Sequence, residues 1–367
     1  VATQTFFINP IEGGFEIEKQ KTMRHILLAL SFCLLGVAAC QKEQITISEH
    51  ADDTFYLKRA DASLRILVRG NTASKVFMVI IHGGPGSSSY VYQTVGMAHI
   101  VEKEMAVVYY DQRNAGASQG NVSAGVFQLE EYGNDLSAVL KLLQFRYGAD
   151  IKLFILSKSF GGMVASSFMT NGNNQDMIRG WLFIDASHNY QLNDSLTHEM
   201  LLRVGNEHLA ANLNAEKWKP IVEYCVNNPP GPFSSHQSLL LNQYGWEAQK
   251  IIEGLEPYHH TVIQDAIFCE NLPITSYLLG RTNAADRRFN HSLNQIKFSD
   301  ELKKVTTPVL VCFGKLDFVC PQGLGDDFLA HIGASDKQKI IFEKSAHRFE
   351  EQDAYYHTFV QFVTAHL

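Results

Sequence analysis

A chain of 367 residues, 46% hydrophobic and 19% charged, has the composition of a globular protein with room for one large domain or a domain carrying an insertion. Its formal net charge of −7, with no long run of like charge, argues against a nucleic-acid binder and against a polyelectrolyte tail.

The N-terminal region has its own logic. From Met23 it reads MRHILLALSFCLLGVAAC: a basic start, an apolar run from Ile26 to Leu35, then small residues up to Cys40. The run is too short for a comfortable membrane span, and the order of regions is that of a secretory signal. Its ending, Leu35-Gly36-Val37-Ala38-Ala39-Cys40, resembles the lipobox of bacterial lipoproteins. That resemblance implies a signal peptide over 23–39, acylation of the Cys40 thiol, and a lipid-anchored protein of the bacterial envelope. Gln41, where an aspartate would favour the inner membrane, points to the outer one. An ordinary signal peptide or a buried helix is the alternative. Residues 1–22 precede the only plausible initiator of such a signal and read as a disordered upstream extension without function.

Of the remaining cysteines, Cys225 and Cys269 are a pair that export would allow to bridge, although spacing alone does not establish a disulfide. No Cys/His spacing resembles a zinc site, and the adjacent His259-His260 pair does not converge on one metal. No metal or organic cofactor is expected.

After a polar linker over 40–53, Phe55 to Gly70 alternates as a two-stranded hairpin. Val76 to Ile81 (VFMVII) is a continuous apolar run that stops at His82-Gly83-Gly84-Pro85-Gly86. A helix is expected over Val91 to Val101, then a strand over Met105 to Tyr110 ending at Asp111-Gln112-Arg113. Leu129, Tyr132, Leu136, Val139, Leu140 and Leu143 fall at helical spacing. A strand-turn-helix follows at 151–169, then a strand over Gly180 to Ile184. Strands alternating with helices, and apolar on both faces, predict a mostly parallel α/β sheet covered on both sides. The rhythm breaks over 188–304, which reads as a helical cap inserted between core segments 54–187 and 305–367. Strand signals return at Pro308 to Phe313 and Lys339 to Phe342, with helices over Gly323 to His331 and Gln352 to His366.

The chemistry centres on Ser157-Lys158-Ser159-Phe160-Gly161-Gly162, between the strand Leu153–Leu156 and the helix beginning at Met163. A serine on a sharp strand-to-helix turn is the geometry of a nucleophile elbow, which needs small residues two before and two after it. Around Ser159 those are Ser157 and Gly161; around Ser157 they are Ile155 and Ser159, and a β-branched isoleucine fits worse. Ser159 is therefore the nucleophile candidate. Ser157 stands where the G-x-S-x-G pattern has its first glycine and adds bulk where the turn is tightest. A Ser/Gly turn without catalysis remains open on this motif alone.

A serine hydroxyl needs a base, and the base needs an orienting carboxylate. In this sheet class acid and histidine follow the serine, on loops at the carboxyl ends of later strands. Asp317 follows the strand Pro308–Phe313, and His347 follows Lys339–Phe342. Singly, these are a turn former and a surface histidine; together, three residues in order on three strand ends make a triad. The oxyanion donors are expected from the Phe160 backbone and the His82–Gly86 loop.

HGGPG, followed by DQRNAGAS at Asp111–Ser118 and then the elbow, resembles the α/β-hydrolases of the prolyl iminopeptidase group. The resemblance covers about 75–187 and 308 to the C-terminus, and includes the acid loop Asp317–Pro321 and the Ser345-Ala346-His347 turn. It implies an α/β-hydrolase fold, Gly84 as the oxyanion glycine and Phe160 as its partner. Asn114 occupies a glycine position of the family's DQRG-x-G-x-S pattern, which asparagine's tolerance of left-handed backbone allows. The family's cap tryptophans and acids, which grip the N-terminal amine and proline ring, are not reproduced: Trp218 with Glu223, or Trp246 with Glu247, match only loosely, so those roles do not transfer. The expected activity is serine hydrolysis of a small peptide or ester through an acyl-enzyme, with an aminopeptidase first and an esterase next. A hydrolase fold kept as a non-catalytic surface binding module is the competing class. Oligomeric state is not legible.

Overall fold

A computed structural model of the protein describes residues 45, 47–120, 128–254, 293–348 and 352–367. The expected signal segment and Cys40 lie outside the described residues, as do Cys269, His259-His260 and residues 255–292 of the expected insertion. Among the described residues no helix is long and apolar enough to cross a membrane.

The strands are β1 (Ala51–Lys58), β2 (Ala62–Gly70), β3 (Val76–Ile81), β4 (Ala106–Tyr110), β5 (Gln119–Gly120), β6 (Lys152–Ser159), β7 (Ile178–Ala186), β8 (Val309–Gly314) and β9 (Lys337–Phe342). They form one sheet in the order β1-β2-β4-β3-β6-β7-β8-β9, with the short β5 paired to β2. From β4 to β9 neighbouring strands run parallel, while the β1-β2 hairpin and the β2-β4 pair are antiparallel.

The apolar runs explain this layering. Every residue of β3 and β4 is buried, as expected for strands covered on both faces. Alternation sorts their side chains: Phe77, Val79 and Ile81 join one core, Met78 and Ile80 the other. The first core is closed by α1 (Leu129–Tyr147), α2 (Gly161–Met169) and α6 (Gly323–His331). The second is closed by a helical stretch over 97–104 and by α7 (Gln352–Ala365). Phe359, Phe362 and Val363 of α7 are all at least 98% buried, each burial stabilising by roughly 1.5–3 kcal/mol.

One expectation is met only in its second half. Of the helix expected over Val91–Val101, the first part is a 3₁₀ turn, Ser89–Tyr92, and the second lies in a helical stretch over 95–104 that is π-helical at Met97–Val101. Side chains cap both pieces: Ser88 Oγ accepts from Tyr90 N–H and Asp111 Oδ1 from Ser89 N–H at the 3₁₀ turn, and Thr94 Oγ1 accepts from Met97 N–H at the start of the helical stretch.

Between β7 and β8 the chain forms α3 (Tyr190–Ala210), α4 (Ala215–Asn227) and α5 (Ser235–Glu253). These helices build a third apolar cluster around Trp218, Ile221, Leu201 and Leu241. Phe318, the residue after Asp317, is buried in that cluster, so the loop carrying the acid is clamped by the inserted helices.

Candidate active site

Ser159 ends β6 with φ +55, a left-handed conformation that is costly for a residue with a side chain. The crowding around the turn shows what holds it there. A Cβ on Gly161 would stand 2.0 Å from the Ile81 carbonyl oxygen, and one on Gly162 2.5 Å from that of Ser187. Glycine at both positions lets α2 start tight against β3 and β7. Phe160 precedes α2 and buries its ring in the first core beside Tyr132; its N–H belongs to the helix N-terminus, where donors lack intrahelical acceptors.

The two serines of the motif separate cleanly. Ser157 is fully buried, accepts the Trp181 indole N–H at 2.8 Å and donates towards the Leu182 carbonyl. Its hydroxyl points at β7, away from the tightest part of the turn, which is how the elbow accommodates it. Ser159 lines a cavity of about 710 Å³ together with His347.

Asp317 and His347 meet as the strand order predicts. His347 Nδ1 donates to Asp317 Oδ2 at 2.8 Å, while Asp317 Oδ1 accepts the N–H groups of Val319 and Cys320, both at 2.8 Å. A proton held on Nδ1 by this carboxylate leaves Nε2 as the basic nitrogen. Trp246 packs edge-on against the His347 ring at 5.2 Å, and Gln249 Oε1 accepts the His347 N–H. Both residues sit on α5, which sequence reasoning did not connect to the histidine.

The glycine loop passes directly over the serine: a Cβ on Gly83 would lie 3.0 Å from Ser159 Cβ. The Gly83 N–H is spent on the Tyr92 hydroxyl at 3.1 Å. Gly84 has φ +133, and a side chain there would meet the backbone nitrogens of Gly86 and Ser87 within 3 Å. Buried His82 fixes the loop, because Gln112 donates its backbone N–H to Nε2 and its side-chain amide to the His82 carbonyl. Burial lowers the His82 pKa, so the ring is neutral and donates from Nδ1 to the Gly83 carbonyl. The adjoining Asp111–Ser118 loop is equally determined. Asn114 takes φ +58, and Arg113 spans Asp135 in a buried fork at 2.7 and 2.9 Å.

A second cavity, of about 210 Å³, also reaches Ser159 and is lined by Asp194 of α3. Asp194 is 96% buried, and its Oδ2 has no hydrogen-bond partner among the described residues. Burial pushes its pKa up to about 7, opposed by a hydrogen bond from Ser238. The available sequence signal was polar residues, Asp194, Thr197 and His198, on the stripe of α3 that also carries Leu201 and Val204. Of the loose cap candidates, only Trp246 reaches the site; Trp218 is in the third cluster, and Glu223 and Glu247 are exposed. Asp185, Asp317 and His347 have polar atoms within 4.8 Å of one another. Lys158 Nζ stands 2.6 Å from Asp185, which puts an ammonium inside the set and makes it a poor cation cage.

The family described as "Serine aminopeptidase, S33" matches residues 72–217. The proline iminopeptidase of Lacticaseibacillus rhamnosus (strain Lc 705) is 22% identical over 300 residues, covering 78% of this chain and 89% of that protein. Among solved structures, a proline iminopeptidase-related protein from Thermus thermophilus superposes with TM-score 0.58 at 16% identity, covering 86% of this chain and 98% of its own. An esterase from Rhodococcus sp. ECU1013 does so with TM-score 0.54 at 15% identity, covering 86% and 99%. The fold is that of an α/β-hydrolase. In this sheet Ser159 stands at the carboxyl end of β6, and Asp317 and His347 follow the carboxyl ends of β8 and β9.

Proposed function

We propose that the protein is a serine hydrolase working through an acyl-enzyme, and that it acts as an aminopeptidase on short peptides. The observation that carries the hydrolase reading is the 2.8 Å bond between His347 and Asp317 beside a left-handed Ser159 in one cavity. Ser159 Oγ attacks the carbonyl carbon while His347 Nε2 takes its proton. Asp317 holds the ring and stabilises the imidazolium. The N–H groups of Gly84 and Phe160 receive the developing oxyanion, each worth on the order of 3 kcal/mol. The imidazolium then protonates the leaving group. Water, deprotonated by the same nitrogen, releases the acyl group and restores the serine.

Asp194 favours an amine-bearing substrate over a neutral ester. A carboxylate with one oxygen unpartnered in a small cavity beside the nucleophile is costly unless something cationic enters, and the ammonium of a free N-terminus has that charge. Esterase action is the second reading, supported by the apolar Met97, Trp246, Tyr355 and Tyr356 in the larger cavity.

A fluorophosphonate probe tests the first step: it should label wild type and leave Ser159→Ala unlabelled, and a folded wild type that takes no label refutes the reading. A panel of chromogenic aminoacyl amides with free and acetylated amines tests the second, the free amines being preferred. The envelope location rests on the Cys40 resemblance, for which a mature N-terminus with the mass of an acylated Cys40 is the check.

A further inference from the structure

Directly behind the elbow lies an ion pair that the triad does not use. Lys158, next to Ser159 on β6, puts Nζ 2.6 Å from Oδ2 of Asp185, whose side chain is fully buried. In the ladder between β6 and β7, Lys158 pairs with Ile184 and Ser159 with Ala186, so Asp185 falls in an irregularity of the register. It adopts φ +38 there. A bulge with a left-handed residue re-aims a side chain, and such devices concentrate beside active sites. Here the carboxylate is turned onto the loop that carries the acid. Its Oδ1 accepts the N–H of Gly314 at 2.8 Å, at the end of β8, and one of its oxygens lies within 4.8 Å of polar atoms of Asp317 and His347.

Two buried carboxylates therefore face one histidine, and the second of them has an ammonium counter-charge. We propose that Asp185 is a positioning residue for His347: a second carboxylate, kept ionised by Lys158, that stabilises the imidazolium formed when Ser159 gives up its proton. The proposal rests on the serine-hydrolase reading of Ser159, Asp317 and His347. Burial pushes the Asp185 pKa up to about 6 against the pull of Lys158, so the carboxylate is charged at neutral pH. The other groups that face it are Tyr92 after β3, Cys312 on β8, Cys320 after Asp317, and Tyr355 on α7. Burial raises all four, so they stay protonated and neutral at neutral pH. Lys158, Asp317 and His347 are then the charges that matter.

The experiment is the rate of fluorophosphonate labelling of the full chain between pH 5 and 9, in wild type and Asp185→Asn. Asparagine tolerates the left-handed backbone and keeps an acceptor for Gly314, but the change removes both the charge and the acceptor for Lys158. With one negative charge fewer beside it the imidazolium is less stable, and the acid limb of the labelling rate moves to lower pH by about one unit. A purely structural role would instead lower the rate by the same factor at every pH. Lys158→Met/Asp185→Asn, which leaves no lone ammonium behind, is expected to move the limb the same way by less. It carries the test if the single variant fails to fold. An acid limb identical to wild type in whichever variant folds overturns the proposal. A wild type that takes no label at any pH overturns the hydrolase reading, and this inference with it.

Discussion

Trp181 gives its indole N–H to the Ser157 hydroxyl at 2.8 Å, tying the residue two before Ser159 to the neighbouring strand. From the chain alone, replacing Ser157 by glycine looks like relief of crowding. The bond reverses that expectation for stability. Ser157→Gly leaves a buried indole N–H without an acceptor, at a cost of about 1–3 kcal/mol, while labelling of Ser159 per folded molecule should be preserved. Denaturant melts read alongside fluorophosphonate labelling check both halves.

Gly161 and Gly172 make a matched pair of tests. Alanine at Gly161 puts a carbon against the Ile81 carbonyl, backbone against backbone, whereas Gly172, at φ +55, has nothing within 4 Å of the added atom. Gly161→Ala should cost more than about 2 kcal/mol and abolish labelling. Gly172→Ala should cost only the left-handed strain, about 1–2 kcal/mol, with labelling intact. Thermal unfolding of the two variants, with labelling as the second readout, separates the effects.

Asp194 sets site chemistry against stability. Its folded pKa, about 7, lies above the ordinary carboxylate value, so the folded state binds the proton more tightly than the unfolded chain does. Stability should therefore fall as pH rises from about 4 to about 7 and level off above. Asp194→Asn should remove that fall, stabilising the protein at pH 8 by about 2–4 kcal/mol. The same change should reduce kcat/KM for free-amine substrates and spare acetylated ones. Melting curves at pH 5 and 8 and the two substrate series read these outcomes.

Arg113 is 99% buried and holds Asp135 through two bonds and Asp61 through a third at 3.0 Å. Arg113→Met strands Asp135 next to Arg59 alone, and loss of one partner of such a buried pair should cost about 3–5 kcal/mol. Urea unfolding midpoints measure it.

The elements that could be read from the chain share a physical cause. Parallel strands buried on both faces are continuous apolar runs, and their carboxyl ends are marked by Gly, Ser, Asp and His, so β3, β6, β8 and β9 were visible together with Ser159, Asp317 and His347. What stayed hidden depends on contacts that no local pattern encodes. Lys158 and Asp185 meet only because β6 and β7 are neighbours with a slip in register, and Asp185 lies just past the predicted end of its strand. Asp194 looks like one more polar residue until helix packing closes over it. The segment 88–101 has helical composition, but its start is a 3₁₀ turn whose Ser89 N–H bonds to the distant Asp111, and the helical stretch opens only after the cap Thr94.

Asn193 donates its amide to the Val319 carbonyl at 2.9 Å, and Gln249 accepts the backbone N–H of His347, so α3 and α5 each grip one of the loops that bear Asp317 and His347. The α3–α5 insertion is consequently no interchangeable lid. Transplanting the corresponding segment from another protein of this fold would replace the struts under the candidate site along with the walls of its pockets. Variation in substrate preference is cheapest at positions such as Asn242 and Leu239, which line the cavities without carrying either loop.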